Sequence, residues 1–174
     1  MLFIKYILVN LLSLIVVKAW VFTDIRYNPR WVIDSTNVFL GTKWCGSGNI
    51  ADDYDDLGPS KEADKCCREH DHCPDVILAG ETKHNLTNTS FYSKLSCDCD
   101  QKFRVCLHKA ATSTAKQIGK MYFDIIGTQC FRKDFPISGC AKRGGCWFKK
   151  KCIKYTYDKN GKMKYQWFDV PDYN

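Results

Sequence analysis

Apolar and cysteine positions recur at helical spacing through the middle of this chain and give way to alternation near its end. Ser60 is placed to cap a helix from about Lys61, with Glu62 and Asp64 in its first turns and Pro74 ending it just after Cys73. On that helix Cys66, His70 and Cys73 fall at i, i+4 and i+7, while Cys67 and Asp71 share a neighbouring stripe. A second helix is predicted from about Tyr92 or Leu95 to Lys109, because Leu95, Cys99, Phe103, Cys106 and Leu107 keep the same period. A third runs from about Ser113 to Ile126, with Ile118, Tyr122, Ile125 and Ile126 on one face and Gly127 as its stop. The period then changes. Residues 146–157 and 164–168 alternate and are aromatic, and Asp158-Lys159-Asn160-Gly161 between them is a hairpin signal. Ahead of the helices, Gly41, Gly46, Gly48, Gly58 and Pro59 make residues 41–61 irregular backbone. The expected fold is mainly α with a small antiparallel β-sheet beside the helical body.

The amino terminus stands apart from this pattern. Lys5 supplies positive charge, Tyr6 to Val17 is apolar apart from Asn10 and Ser13, and Val17-Lys18-Ala19 resembles a small-residue cleavage site. Residues 1–19 therefore read as a secretory signal peptide; the run is short of the roughly 20 residues that span a bilayer, and an uncleaved anchor is the alternative. Residues 20–30 are a candidate propeptide, since Arg30 precedes Trp31, and residues 31–174 form a single domain.

All eleven cysteines follow Ala19, which implies an oxidising compartment and a disulfide framework. Eleven is odd, so at least one thiol is left over or bonds another chain. The sequons at Asn85 and Asn88 fit the same compartment and mark a surface loop where a glycan could attach. The formal charge of +7 includes Lys5 and Lys18 of the leader, so the excess in the mature chain is modest. It favours adsorption to anionic lipid, and no motif supports nucleic-acid binding. The basic runs Lys142-Arg143 and Lys149-Lys150-Lys151 read as solvated faces.

Candidate chemistry sits in the loop and the first two helices. A glycine-rich loop lets backbone carbonyls turn toward one point, and three carbonyls with one carboxylate make an oxygen-only site suited to calcium. Asp71 is the natural carboxylate. His70 beside it points to another face of the helix, so both can act on one substrate held between loop and helix. Histidine is the usual base near neutral pH, and it needs an orienting partner on its other ring nitrogen. Asp100 on the second helix is the candidate, with Tyr122 as its hydrogen-bond partner.

At these residues the chain resembles a secreted phospholipase A2 of the bee-venom (group III) type. The likeness is carried by Trp44-Cys45-Gly46-x-Gly48-Asn49, Cys66-Cys67-Arg68-x-His70-Asp71-x-Cys73-Pro74-Asp75, Ala79-Gly80-Glu81, Leu95-Ser96-Cys97-Asp98-Cys99-Asp100, Gly119-Lys120-Met121-Tyr122-Phe123 and Tyr165-Gln166-Trp167-Phe168-Asp169. It covers roughly Gly41 to Asp169. What it implies is a disulfide-stapled phospholipase A2-like fold in which two cross-linked helices carry the active site. Calcium would be held by main-chain oxygens of Trp44, Gly46 and Gly48 and by the Asp71 carboxylate. His70 would be the base, with Asp100 and Tyr122 behind it, activating water against the sn-2 ester of a glycerophospholipid. The implied pairings are Cys45 with Cys67, Cys66 with Cys106, Cys73 with Cys99, Cys97 with Cys130, and Cys140 with Cys152. Cys146 is left over, as a surface thiol, an alternative bridge or a link to another chain. The implied partner is a phospholipid membrane surface, met peripherally by a monomer.

Plainer readings compete. Cys66-Cys67 and Cys97-x-Cys99 with His70 and His72 suggest zinc, but the paired CxxC spacing of a zinc site is missing. Asp52, Asp53, Asp55 and Asp56 offer a second calcium site or a solvated loop. His72, His84 and His108 read as surface residues. Trp31, Ile33, Phe39, Leu40, Ile77 and Leu78 are candidates for an apolar collar facing lipid or for ordinary core. The rival function is a secreted binding protein that keeps the scaffold without catalysis, and a purely structural cystine-rich domain ranks last.

Overall fold

In the computed structural model the described residues are 38–145 and 150–173. The leader, the candidate propeptide, Trp31, Ile33 and Cys146 lie outside them. Helix α1 spans Lys61–Asp71. Ser60 occupies its N-cap position without a side-chain cap; its amide instead donates to Gly41 O (2.7 Å), which ties the start of the helix to the glycine loop. Glu62 and Asp64 lie in the first turn, where carboxylates complement the helix dipole, and the helix closes before Pro74. Helix α2, Cys97–Ala110, starts later than the apolar pattern suggests. Ser96 caps it by accepting from Cys99 N, and Ala111 stops it in the left-handed region at φ 52°. Thr112 caps helix α3, Ser113–Gly119, in the same way.

The third helical stretch does not continue as one α-helix to Ile126. From Lys120 to Ile126 it is π-helical, and Gly127, at φ 58°, ends it. The wider i→i+5 spacing rotates the buried face, so Phe123 is fully buried while Ile125, expected on the apolar face, is half exposed.

The strands correct the expected architecture further. Four two-residue strands, β1 (Val76–Ile77), β2 (Thr82–Lys83), β3 (Leu86–Thr87) and β4 (Lys94–Leu95), pair as β1 with β4 and β2 with β3. Beyond the helices come β5 (Gln129–Asp134), β6 (Ile137–Gly145), β7 (Lys150–Tyr157) and β8 (Lys164–Asp169). The predicted hairpin between β7 and β8 does not form: β7 pairs antiparallel with β6, and β8 with β5. The Asp158 side chain does accept from Asn160 N, so the turn is locally made. Its edges are taken by other strands, with Asp158 N bonded to Pro136 O at the β5–β6 corner. Strand residues are about as numerous as helical ones, so the expectation of a mainly α fold does not hold. The protein is a disulfide-rich body of three α-helices and small antiparallel sheets.

Five disulfides close this body: Cys45–Cys67, Cys66–Cys106, Cys73–Cys99, Cys97–Cys130 and Cys140–Cys152, the pairs the resemblance implies. Two of them join α1 to α2 or its border, one ties the glycine loop to α1, and one ties α2 to β5. Each constrains the unfolded chain by about 2–4 kcal/mol. Between them lies one core built on Trp44, Ala63, Phe103, Leu107, Ile118, Phe123, Phe168 and Tyr173.

Candidate active site

His70 stands on the last turn of α1 and Asp100 on the first turn of α2, brought together by the cross-linked packing of the two helices. His70 Nε2 lies 2.8 Å from Asp100 Oδ1, and Tyr122, from the π-helical segment, donates its hydroxyl to the same oxygen at 2.9 Å. A carboxylate only accepts, so Nε2 carries the donated proton, and in a neutral ring this leaves the lone pair on Nδ1. Asp100 is 1 % exposed, and its Oδ2 has no hydrogen-bond partner among the described residues. Burial, with the Asp100 charge beside it, holds the Tyr122 phenol well above its ordinary pKa, so it stays a donor. Phe103, one turn along α2 from Asp100, stacks on the imidazole at 4.2 Å, and Tyr122 meets it edge-on at 5.1 Å. The ring is therefore held on two faces and at one nitrogen. Phe103 was legible in the sequence only as a core position of the second helix.

The glycine loop is organised by a residue that the sequence reading passed over as a first-turn acid. Asp64 is fully buried; its carboxylate accepts from Lys43 N (3.0 and 2.9 Å), Trp44 N (2.8 Å) and Gly58 N (2.7 Å). Its signal was its place on the helix, one turn before Cys67 on the stripe that leads to Asp71. Gly58 has to be glycine, since a Cβ there would come within 2.6 Å of Gly41 O. Gly48, at φ 116°, adopts backbone that side chains disfavour.

Alternate carbonyls along the loop are used internally. Lys43 O accepts from Ile50 N and Cys45 O from Phe39 N, whereas no backbone amide among the described residues bonds the oxygens of Trp44, Gly46 or Gly48. Asp71 keeps solvent contact, but the protein crowded around its carboxylate makes the charged form costly. Burial pushes its pKa up to about 6, while His70 and His72 pull the other way. Carbonyls that no described backbone amide bonds, and a carboxylate in no described ion pair, are the oxygen donors that a hard divalent cation takes. Among the described residues no three His, Cys, Asp or Glu side chains gather to hold a metal, and the four cysteines of the zinc alternative, Cys66, Cys67, Cys97 and Cys99, are all in disulfides.

The other sequence expectations divide. Asn85 is exposed, with φ 58°. Asn88, expected on the surface as a glycan acceptor, is fully buried, and its amide nitrogen donates to Ile77 O, Leu78 O and Tyr92 O. The folded protein leaves no room for a sugar there. Asp56 is paired with Lys43 at 2.6 Å and Asp53 caps Asp55 N, so two of the four acids are committed within the loop. The remaining histidines are partnered: His72 packs against Trp44 and Tyr54, His84 bonds Asp75 and stacks on Tyr165, and His108 stacks on Tyr173. Of the proposed collar, Leu40 and Leu78 are more than half exposed, and Ile77 is buried. Among the described residues no helix is long and apolar enough to cross a membrane.

Comparison with known proteins shows the family. The family model described as phospholipase A2 matches residues 38–134, from the glycine loop to the end of β5. A phospholipase A2 of Xylocopa aruana is 52% identical over 155 residues, covering 88% of this chain and 84% of the relative. One of Apis dorsata is 47% identical over 137 residues, 78% of this chain and 99% of the relative. An acidic phospholipase A2 of Heloderma suspectum is 41% identical over 117 residues, 67% of this chain and 80% of the relative. With a family model spanning more than half of its length and relatives this similar over most of it, the chain belongs to the phospholipase A2 family and is an enzyme of that family.

Proposed function

We propose that this protein is a secreted, calcium-dependent phospholipase A2 that hydrolyses the sn-2 ester of glycerophospholipids to a free fatty acid and a lysophospholipid. The observation that carries the reading is the Tyr122–Asp100–His70 chain, which takes His70 Nε2 as donor and leaves Nδ1 outside it, one residue from Asp71. In this mechanism His70 Nδ1 takes a proton from a water as that water's oxygen attacks the ester carbonyl. Asp100 stabilises the imidazolium through the Nε2–H bond, and Tyr122 keeps Asp100 aligned. His70 then returns the proton to the departing lysophospholipid oxygen, so no acyl-enzyme forms. The Trp44, Gly46 and Gly48 carbonyls and the Asp71 carboxylate would hold calcium. Bound there, the ion supplies positive charge for the substrate phosphate and for the oxyanion of the transition state.

The substrate lies in a membrane, and exposed Leu40 and Leu78 supply apolar contact with its surface. Secretion after removal of residues 1–19, a further cut after Arg30, a single catalytic domain over 31–174 and a glycan on exposed Asn85 belong to the same proposal. The test is release of fatty acid from vesicles labelled at the sn-2 chain, with calcium or with chelator, by the secreted protein and by His70→Gln. Calcium-dependent release that falls by about 10²–10⁴-fold in the variant is expected. Release that survives either the chelator or the substitution would sink the mechanism.

A further inference from the structure

Lys151 lies in a run of lysines that reads as a solvated face, yet it is 2 % exposed. Its Nζ donates to Phe123 O at 2.5 Å and to Asp172 Oδ1 at 2.6 Å. Phe123 directly follows Tyr122 and lies in the last turn of the π-helical segment, where a cation meets the negative end of the peptide dipoles. The C-terminal tail completes the grip on that segment. Tyr173 N donates to Asp124 Oδ1 at 2.7 Å, its ring stacks on Phe123, and the ring lies so close over Gly119 that a Cβ there would clash at 2.3 Å. Arg104, one turn beyond Asp100 on α2, donates to the carbonyls of Asp172 and Tyr173. The tail is therefore bonded to the helix that carries Asp100 and to the segment that carries Tyr122. Lys151 is the charged group buried between tail and segment. Phe123 also contacts Phe103, which stacks on His70, so displacement of the segment reaches the imidazole by two routes.

Desolvating an ammonium is costly, and an apolar side chain at this position on β7 would avoid that cost. We propose that Lys151 is a positioning residue for catalysis: it fixes the π-helical segment so that Tyr122 meets Asp100, and thereby holds His70 in register. It touches neither substrate nor water. The proposal rests on the reading of His70 and Asp100 as the proton-transfer pair.

The test compares Lys151→Met, Lys151→Arg and the exposed neighbour Lys150→Met in the secreted enzyme. Calcium-dependent release from sn-2-labelled phosphatidylcholine vesicles gives kcat and KM, and calcium titration gives the metal affinity. Lys151→Met is expected to lower kcat by about tenfold with KM and calcium affinity nearly unchanged, because a small misplacement of catalytic groups acts on the transition state. Lys151→Arg should restore kcat to within about threefold, and Lys150→Met should behave as wild type. Wild-type kcat in Lys151→Met overturns the proposal. So does a loss shared equally by kcat, KM and calcium affinity that arginine fails to rescue, since that is a packing defect. Should Lys151→Met fail to fold, Asp172→Asn decides, because it removes the carboxylate and keeps the carbonyl contact: lower kcat at constant KM supports the role, and unchanged kcat refutes it. His70→Gln measured alongside separates this proposal from the reading beneath it, since activity surviving that change would discard the proton-transfer pair itself.

Discussion

The helical half of the molecule is cross-linked three times within itself, by Cys45–Cys67, Cys66–Cys106 and Cys73–Cys99. The strand half, from Gln129 to Tyr173, carries one internal disulfide, Cys140–Cys152, is joined to α2 by Cys97–Cys130, and otherwise closes on Lys151–Asp172, the Arg104 contacts and stacked rings. The difference follows from what each half must hold. Two side chains on separate helices must stay 2.8 Å apart without a large core around them, and covalent links near both supply that rigidity. The strand half has only to brace the segment behind Tyr122. Hydrogen bonds and packing, with fewer cross-links, hold it there.

The largest break in the comparison is expected at Asp64, because it holds the loop by hydrogen bonds rather than by sulfur. Asp64→Ala leaves three buried amides without an acceptor and should cost about 3–5 kcal/mol in denaturant unfolding. Calcium affinity and activity should fall with it, although all five disulfides remain closed. Unchanged unfolding midpoint and calcium affinity would show that the Cys45–Cys67 link alone shapes the loop.

A smaller effect is set by pH. With its pKa raised to about 6, Asp71 binds a proton in the folded, calcium-free protein that the unfolded chain has already released. Its contribution to stability is therefore present in acid and is lost as pH rises through about 6. Calcium takes only the carboxylate, so affinity should run the other way, flat above about pH 7 and falling by up to about tenfold per unit below about 6. Calorimetric titration between these limits checks it; affinity constant down to pH 5 would remove Asp71 from the ligand set.

The smallest effect belongs to the strand half. Replacing Cys140 and Cys152 together by serine opens a link between residues only 12 apart in sequence. It should cost about 2–3 kcal/mol, read as a lower Tm, with kcat essentially kept. A loss of kcat matching that of Lys151→Met would mean that the β6–β7 cross-link, rather than the buried lysine, sets the brace.

Much of the helical half was legible because its signals are local. The spacing of Cys66, His70 and Cys73 and the stop at Gly127 act over one or two turns. The strand half was less legible because pairing is a choice among distant partners. Asp158-Lys159-Asn160-Gly161 makes its turn, yet β7 binds β6 and β8 binds β5, since those pairings bury Cys152 and Phe168. Charge was misread for the same reason. Lys151 looks like a surface residue and Asp64 like an ordinary first-turn acid until the carbonyl and amides they serve, far away in sequence, are folded around them.

What the sequence by itself determined is a helical frame and the residues set on it: His70, Asp100, the loop glycines, and cysteines spaced to bind one helix to the next. Only the tertiary structure decided that Tyr122 would lie on a π-helical segment, that Asn88 would be buried, and that Asp64 and Lys151 would give up water to hold the loop and the brace. Helix period and capping depend on neighbours a few residues away. Burial of a charge depends on whether distant backbone arrives to replace its solvent, and that is settled only when the whole chain has packed.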